Sequence, residues 1–223
     1  MNIVVIDYGM GNLRSVHNKF RKLGVECGIS ADPAEIEAAD ALILPGVGHY
    51  GRAMDRLRSL DLLSLLNRRV LEERVPVMGV CLGMQLLMEH SEEGDAEGLG
   101  WIKGNTVRFR LDDQPRLKIP HIGWNSIEQV RPHPICEGLA PDELFYFVHS
   151  FHVSLTDPAD ALHRTRYGYD FVSAVQRDNI FGFQYHPEKS QDAGIQVFRN
   201  FIHLVKKTAY VPTESNTLPS VTE

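Results

Sequence analysis

The chain has 223 residues, of which 43% are hydrophobic and 23% charged, with a formal net charge of −6 at pH 7. That length supports one large domain or two small ones around a substantial core. The acidic balance argues against general nucleic-acid binding, which favours basic surfaces. No apolar run is long enough to span a membrane and the N-terminus lacks a signal pattern, so no membrane association is expected. Cys27, Cys81 and Cys136 are scattered, without CxxC or Cys/His metal spacing. Neither a disulfide framework nor a metal site is suggested, and a cytoplasmic protein fits.

In chain order, Asn2 to Asp7 reads as a first strand, followed by the turn Tyr8-Gly9-Met10-Gly11-Asn12. A helix follows, with Leu13, Val16, Phe20 and Leu23 on one face. Val25 to Ser30 is a second short strand, and Asp32-Pro33-Ala34-Glu35 has the cap, proline and acid of a helix start. Ala41 to Leu44 is a third strand, running into Pro45-Gly46-Val47-Gly48, and two helical stretches lead to the apolar run Val75 to Val80. Strands alternating with helices predict parallel βαβ units. The expected fold is therefore a single α/β domain with a doubly wound, mostly parallel sheet flanked by helices.

After Glu89 the rhythm changes. Thr106–Arg110, Phe145–Val148, Phe171–Gln176 and Ile180–Gln184 read as short strands, which predicts a small additional antiparallel sheet in the C-terminal half. A closing helix is expected over Asp192 to Val205, completing a domain over 1–208. Residues 209–223 form a polar tail with little to bury, expected to be disordered.

Two stretches carry the chemistry. At Gly79-x-Cys81-x-Gly83 an apolar strand gives way to apolar residues at helical spacing, and helix is expected as far as Met88. This is a nucleophile elbow with cysteine where esterases carry serine. It sets Cys81 at a helix N-terminus, where the dipole favours thiolate, and leaves the Leu82 N–H free to help hold an oxyanion. A lone cysteine after an apolar strand is otherwise a small buried hydrophobe. The second stretch is Gln184-Tyr185-His186-Pro187-Glu188. In extended backbone, residues i and i+2 point the same way, so Glu188 can orient the His186 ring. Cys81, His186 and Glu188 then make a nucleophile, base and orienter suited to acyl transfer, with the amide, ester or thioester substrate left open. Gly46-x-Gly48-x-x-Gly51 matches a dinucleotide fingerprint, but no acid follows to hold a ribose. The sharper reading is that Gly46-Val47-Gly48 turns an N–H toward the oxyanion.

Gly79-Val-Cys-Leu-Gly-Met-Gln85 with His186-Pro-Glu188 resembles the class I (triad) glutamine amidotransferases. Asp7-Tyr-Gly-Met-Gly-Asn-Leu13, Pro45-Gly-Val-Gly48, Pro120-His-Ile-Gly-Trp-Asn125, Tyr146-Phe-Val-His-Ser150 and His186-Pro-Glu-Lys-Ser190 narrow this. They resemble the glutaminase subunits of imidazole glycerol phosphate synthases, over about residues 1 to 205. The resemblance implies that Cys81 attacks the side-chain amide of L-glutamine, with Val47, Gly48 and Leu82 forming the oxyanion hole. It implies that Gly46, Gln85, Glu93, His149 and Ser150 bind or neighbour glutamine, and that neither metal nor organic cofactor is needed. It further implies a heterodimer with a (β/α)8-barrel cyclase subunit, to which the ammonia passes. Pro120, Trp124, Asn125, Tyr146 and Lys189 would lie near that partner. Competing readings are a core position for Trp124 and helix-surface positions for Gln85 and Glu93. At the level of function they are ammonia supply to a sugar amidotransferase, a non-catalytic subunit of the same fold, and a dienelactone-type cysteine hydrolase. The last expects its acid before the histidine.

Overall fold

In a computed structural model, which describes residues 1–208, the first half consists of β1 (Asn2–Ile6), α1 (Leu13–Lys22), β2 (Glu26–Ser30), α2 (Pro33–Glu37), β3 (Ala41–Gly46), α3 (Tyr50–Ser59), α4 (Leu63–Asn67), β4 (Val77–Cys81) and α5 (Leu82–Gln85). A π-helical turn over Arg68–Glu72 extends α4. The second half contains β5 (His90–Ser91), β6 (Ala96–Glu97), β7 (Gly104–Arg108), β8 (His121–Ser126), β9 (Glu128–Gln129), β10 (Leu144–His149), β11 (Phe151–Leu155), β12 (Ala161–Tyr167), β13 (Tyr169–Arg177), β14 (Ile180–Phe183) and α6 (Gln191–Thr208). The expected tail over 209–223 lies outside the described residues.

The centre of the main sheet runs β2-β1-β3-β4-β14, all parallel, and continues through antiparallel neighbours to β13, β11 and β7. Alternation along β1 sends Ile3 and Val5 into one core and Val4 and Ile6 into the other. Phe20 of α1 and Phe198 of α6 pack in the first, and Met54 of α3 and Leu66 of α4 in the second. Helices thus cover both faces, as the βαβ pattern predicts. β8 and β10 form a separate antiparallel pair.

Several boundaries differ for physical reasons. The fourth strand opens at Val77 rather than Val75, since Pro76 has no N–H to give to a ladder. The helix after Cys81 stops at Gln85 instead of reaching Met88. The carbonyls of Leu86, Met88 and Leu87 there accept from Leu99, Gly100 and Ile102, so the following segment takes the bonds a longer helix would use. Asp32 caps α2 as expected, its carboxylate accepting from the Ala34 N–H at 2.8 Å.

Candidate active site

β4 and β14 are parallel neighbours with Val80 opposite Phe183, so Cys81 and the Gln184–Glu188 segment leave the sheet side by side at its carboxyl edge. Cys81 sits at φ 53°, a left-handed conformation in which a side chain other than glycine is strained. The flanking glycines serve close packing rather than the turn angle. A Cβ on Gly83 would lie 1.7 Å from the Leu44 carbonyl oxygen, and one on Gly79 would lie 2.6 Å from that of Gly83. The strain therefore falls on the cysteine, held by an elbow wedged against β3. Because α5 has only four residues, the polarity Cys81 meets comes from the first N–H groups of that turn, not from a long helix dipole.

His186 and Glu188 are almost wholly buried, and His186 Nδ1 lies 2.8 Å from Glu188 Oε1. The backbone linking them is a 3₁₀ turn over Pro187–Lys189, not the extended segment expected. The pairing holds because the turn is pinned. The His186 N–H donates to the Tyr146 carbonyl, the Ser190 hydroxyl donates to the His186 carbonyl, and a Cβ on Gly194 of α6 would lie 1.8 Å from the Pro187 carbonyl oxygen. Burial pushes the His186 ring down, but the charge on Cys81 and the hydrogen-bonded Glu188 carboxylate raise it to about 10. Its Nε2 nevertheless has no partner at hydrogen-bond geometry, so ring and sulfur face each other short of a formed bond. Such a pair can shuttle one proton between a sulfur nucleophile and a leaving group.

Cys81 opens into a cavity of about 430 Å³. Val47, Gly48 and Leu82 line it, with Gly48 at φ 120° and Gly46 paired with Cys81 in the ladder. Gly46 is itself buried beneath the rim, where an added Cβ would meet the Tyr8 hydroxyl at 2.7 Å. That hydroxyl donates to the Pro45 carbonyl. Gln85, Glu93, His149 and Ser150 line the same cavity. Gln85 is 4% exposed, which overturns its helix-surface reading. Glu93 caps α3 instead of lying on a helix face, its Oε2 accepting from the Tyr50 N–H at 2.8 Å. His149 has both ring nitrogens engaged: Nδ1 lies 2.7 Å from the Phe151 carbonyl oxygen and Nε2 lies 3.1 Å from His121 Nδ1. Since the carbonyl can only accept, His149 donates from Nδ1 and His121 donates to its Nε2. Burial lowers both histidines, consistent with neutral rings.

Pro120 and Lys189 complete the rim of the cavity. Beyond it, the Lys189 ammonium lies 5.6 Å from the Tyr146 ring centroid, and Tyr146 packs edge-on to Trp124, its partner across β8 and β10. Trp124 is 47% exposed, which overturns its core reading, and Ile122 and Leu144 are exposed on the same pair of strands. Asn125 donates to the Arg166 carbonyl at 3.0 Å beside them. The residue absent from the sequence-based set is Gln184, wholly buried with its Nε2 3.7 Å from Cys81 Sγ. Its signal was a lone amide in the apolar run Phe181-Gly-Phe-Gln184. Among the described residues, no group of three or more His, Cys, Asp or Glu could hold a metal ion, and no helix is long and apolar enough to cross a membrane.

The family model described as glutamine amidotransferase class-I matches residues 4–205. The chain belongs to that family. The fold agrees: a solved glutamine amidotransferase structure, 20% identical, superposes with a TM-score of 0.72 over 91% of this chain and 98% of that one. Within the family, the chain is 49% identical to imidazole glycerol phosphate synthase subunit HisH 2 of Pseudomonas aeruginosa, over 91% of this chain and 100% of that protein. It is 47% identical to subunit HisH of Sulfurimonas denitrificans, over 89% and 96% respectively. At that similarity and coverage it falls in the HisH branch.

Proposed function

We propose that this chain is the glutaminase subunit of an imidazole glycerol phosphate synthase, its residues 1–208 forming a single amidotransferase domain in the cytoplasm. The observation that carries the chemistry is a strained, cavity-facing Cys81 beside a buried His186–Glu188 pair. The thiolate attacks the side-chain amide carbon of L-glutamine, and the carbonyl oxygen takes the negative charge. N–H groups of Leu82 and of the Val47–Gly48 segment hold that oxyanion. His186 gives its proton to the leaving nitrogen, ammonia departs, and a glutamyl thioester remains. Water, deprotonated by His186, then cleaves the thioester to glutamate and frees Cys81. Glu188 keeps the ring oriented and stabilises its imidazolium. Gln85, Glu93, Ser150 and the backbone around His149 and Gly46 hold the substrate.

The ammonia passes to a (β/α)8 cyclase subunit that forms imidazole glycerol phosphate and AICAR in histidine biosynthesis. Trp124, Tyr146, Lys189, Pro120 and Asn125 form the docking face. An exposed tryptophan packed edge-on against a tyrosine beside the mouth of a catalytic cavity is the kind of aromatic anchor on which interfaces depend. The Pro45–Gly48 segment shifts when partner and nucleotide bind, so the free chain is slow. Glutamate release tests the reading. Cys81→Ala should abolish it while leaving the thermal melt cooperative, and release that survives Cys81→Ala would overturn the mechanism.

A further inference from the structure

We propose that Gln184 is a further catalytic residue: its side-chain amide donates a hydrogen bond to the Cys81 sulfur and holds it for attack. The orientation of that amide follows from its neighbours. Gln85 Nε2 lies 2.9 Å from the Phe151 carbonyl oxygen and 3.0 Å from Gln184 Oε1. A backbone carbonyl can only accept, so Gln85 must turn its NH₂ group toward it. The second hydrogen of that group then goes to Gln184, which must present its oxygen there. The Gln184 NH₂ group is thereby directed at Sγ, 3.7 Å away. The amide is wholly buried, and the pairing of β14 with β4 sets Gln184 beside Cys81.

The consequence is an asymmetry around the sulfur. As a thiol, Cys81 donates to the Val148 carbonyl at 3.9 Å. As a thiolate it can only accept, and Gln184 is a side-chain donor fixed in advance on the flank formed by β14. A donor to a charged acceptor is stronger than one to a neutral acceptor. The other titratable groups facing the sulfur are His186, with Glu188 behind it, and the buried Tyr8 after β1. Substitution at 184 leaves all of these residues in place. The same chain of amides has a second effect. With both hydrogens of Gln85 used, by the Phe151 carbonyl and by Gln184, only its Oε1 remains to meet a substrate.

The inference rests on Cys81 as the nucleophile, but its test does not need glutamine. In the full chain, the second-order rate of Cys81 alkylation by iodoacetamide is followed from pH 5 to pH 10, with Cys27 and Cys136 corrected by the Cys81→Ala protein. Gln184→Met removes the donor and the acceptor together. Gln184→Glu keeps an acceptor for Gln85 and replaces the donor with an acid. We expect the midpoint of the profile to rise by about one pH unit in Gln184→Met, which is about tenfold slower alkylation below it, and further in Gln184→Glu. With glutamine, kcat should fall more than KM changes in Gln184→Glu. Profiles that superimpose on the parent's would overturn the inference. If Gln184→Glu does not fold, a superimposed profile for Gln184→Met does so alone. A parent that alkylates with the expected dependence on residue 184 yet releases no glutamate would sink the substrate reading and keep this one.

Discussion

His186 and Glu188 are joined through a 3₁₀ turn by a 2.8 Å contact between Nδ1 and Oε1, and both side chains are nearly sealed from solvent. The carboxylate therefore has one function available, to hold the ring and its charge. Glu188→Gln keeps the shape and removes that charge. We expect kcat for glutamate release to fall by about 10²-fold or more, within the usual range for a disrupted acid–base pair, with a small change in KM. Steady-state kinetics check this, and an unchanged kcat would remove Glu188 from the triad.

The same pair sets a pH dependence. Burial lowers His186, but the charge on Cys81 is foremost among the influences that raise it to about 10, above its ordinary 6.5. A group raised on folding stabilises the fold fully below about pH 6.5, and that contribution is lost as the pH climbs through about 10. In Cys81→Ala the foremost raising influence is gone, so the His186 titration midpoint should drop, and the pH-dependent loss of stability should be smaller and end at a lower pH. Imidazole NMR on both proteins measures the midpoint directly. Equal midpoints would contradict the coupling.

Glycines in this fold differ sharply in what they tolerate. Gly83 faces the Leu44 carbonyl with room for no Cβ, whereas Gly28 in β2 has open space around it. Gly83→Ala should destabilise by about 3 kcal/mol or prevent folding, at the upper end of overpacking costs. Gly28→Ala should stay within about 0.5 kcal/mol. Urea melts of the two variants separate an elbow wedged against β3 from a loosely held one.

Gly48 tests the oxyanion segment. It sits at φ 120°, and an added Cβ would meet Met10 Cε at 2.6 Å, the far end of a flexible side chain. Alanine keeps the backbone N–H but is strained at that φ, so Gly48→Ala should turn the N–H away from the oxyanion and lose about 10² to 10³ in kcat, the usual cost of losing one oxyanion donor, while the fold stays cooperative. Full activity in Gly48→Ala would show that the backbone conformation at Gly48 is not what holds the oxyanion.

Trp124 tests the docking face. Trp124→Ala should leave the melt unchanged, since the ring is half exposed. Affinity for the cyclase barrel of the same organism should weaken by about 30-fold, the loss of about 2 kcal/mol typical of an aromatic anchor. Calorimetric titration measures it, and parent-like affinity would move the interface elsewhere.

Much of this site was legible because its parts are local. The glycine–cysteine elbow and the His–x–Glu pair each occupy a few consecutive residues, and the pairing of β4 with β14 brings them to one sheet edge. The reasons were less secure than the outcomes. His186 and Glu188 meet through a tight turn instead of alternation along a strand, and the helix behind Cys81 is cut short by bonds to residues 99–102. Gln184 stayed hidden because its partners, Gln85 and Cys81, are 99 and 103 residues away in sequence. A lone amide in an apolar run marks the residue, but no local pattern tells that it serves the sulfur of Cys81. The neutral His121–His149 pair was hidden for the same reason, since its bond crosses β8 and β10.

Glutamate release from glutamine by this chain, with and without the cyclase barrel of its own organism and the barrel's nucleotide ligand, bears on the glutaminase assignment most directly. We expect slow release by the free chain, strong stimulation by liganded barrel, and none with Cys81→Ala under either condition. Release by the free chain equal to that of the liganded complex would contradict the shift of the Pro45–Gly48 segment. No release under any condition, from a chain whose Cys81 is intact, would contradict the glutaminase assignment itself.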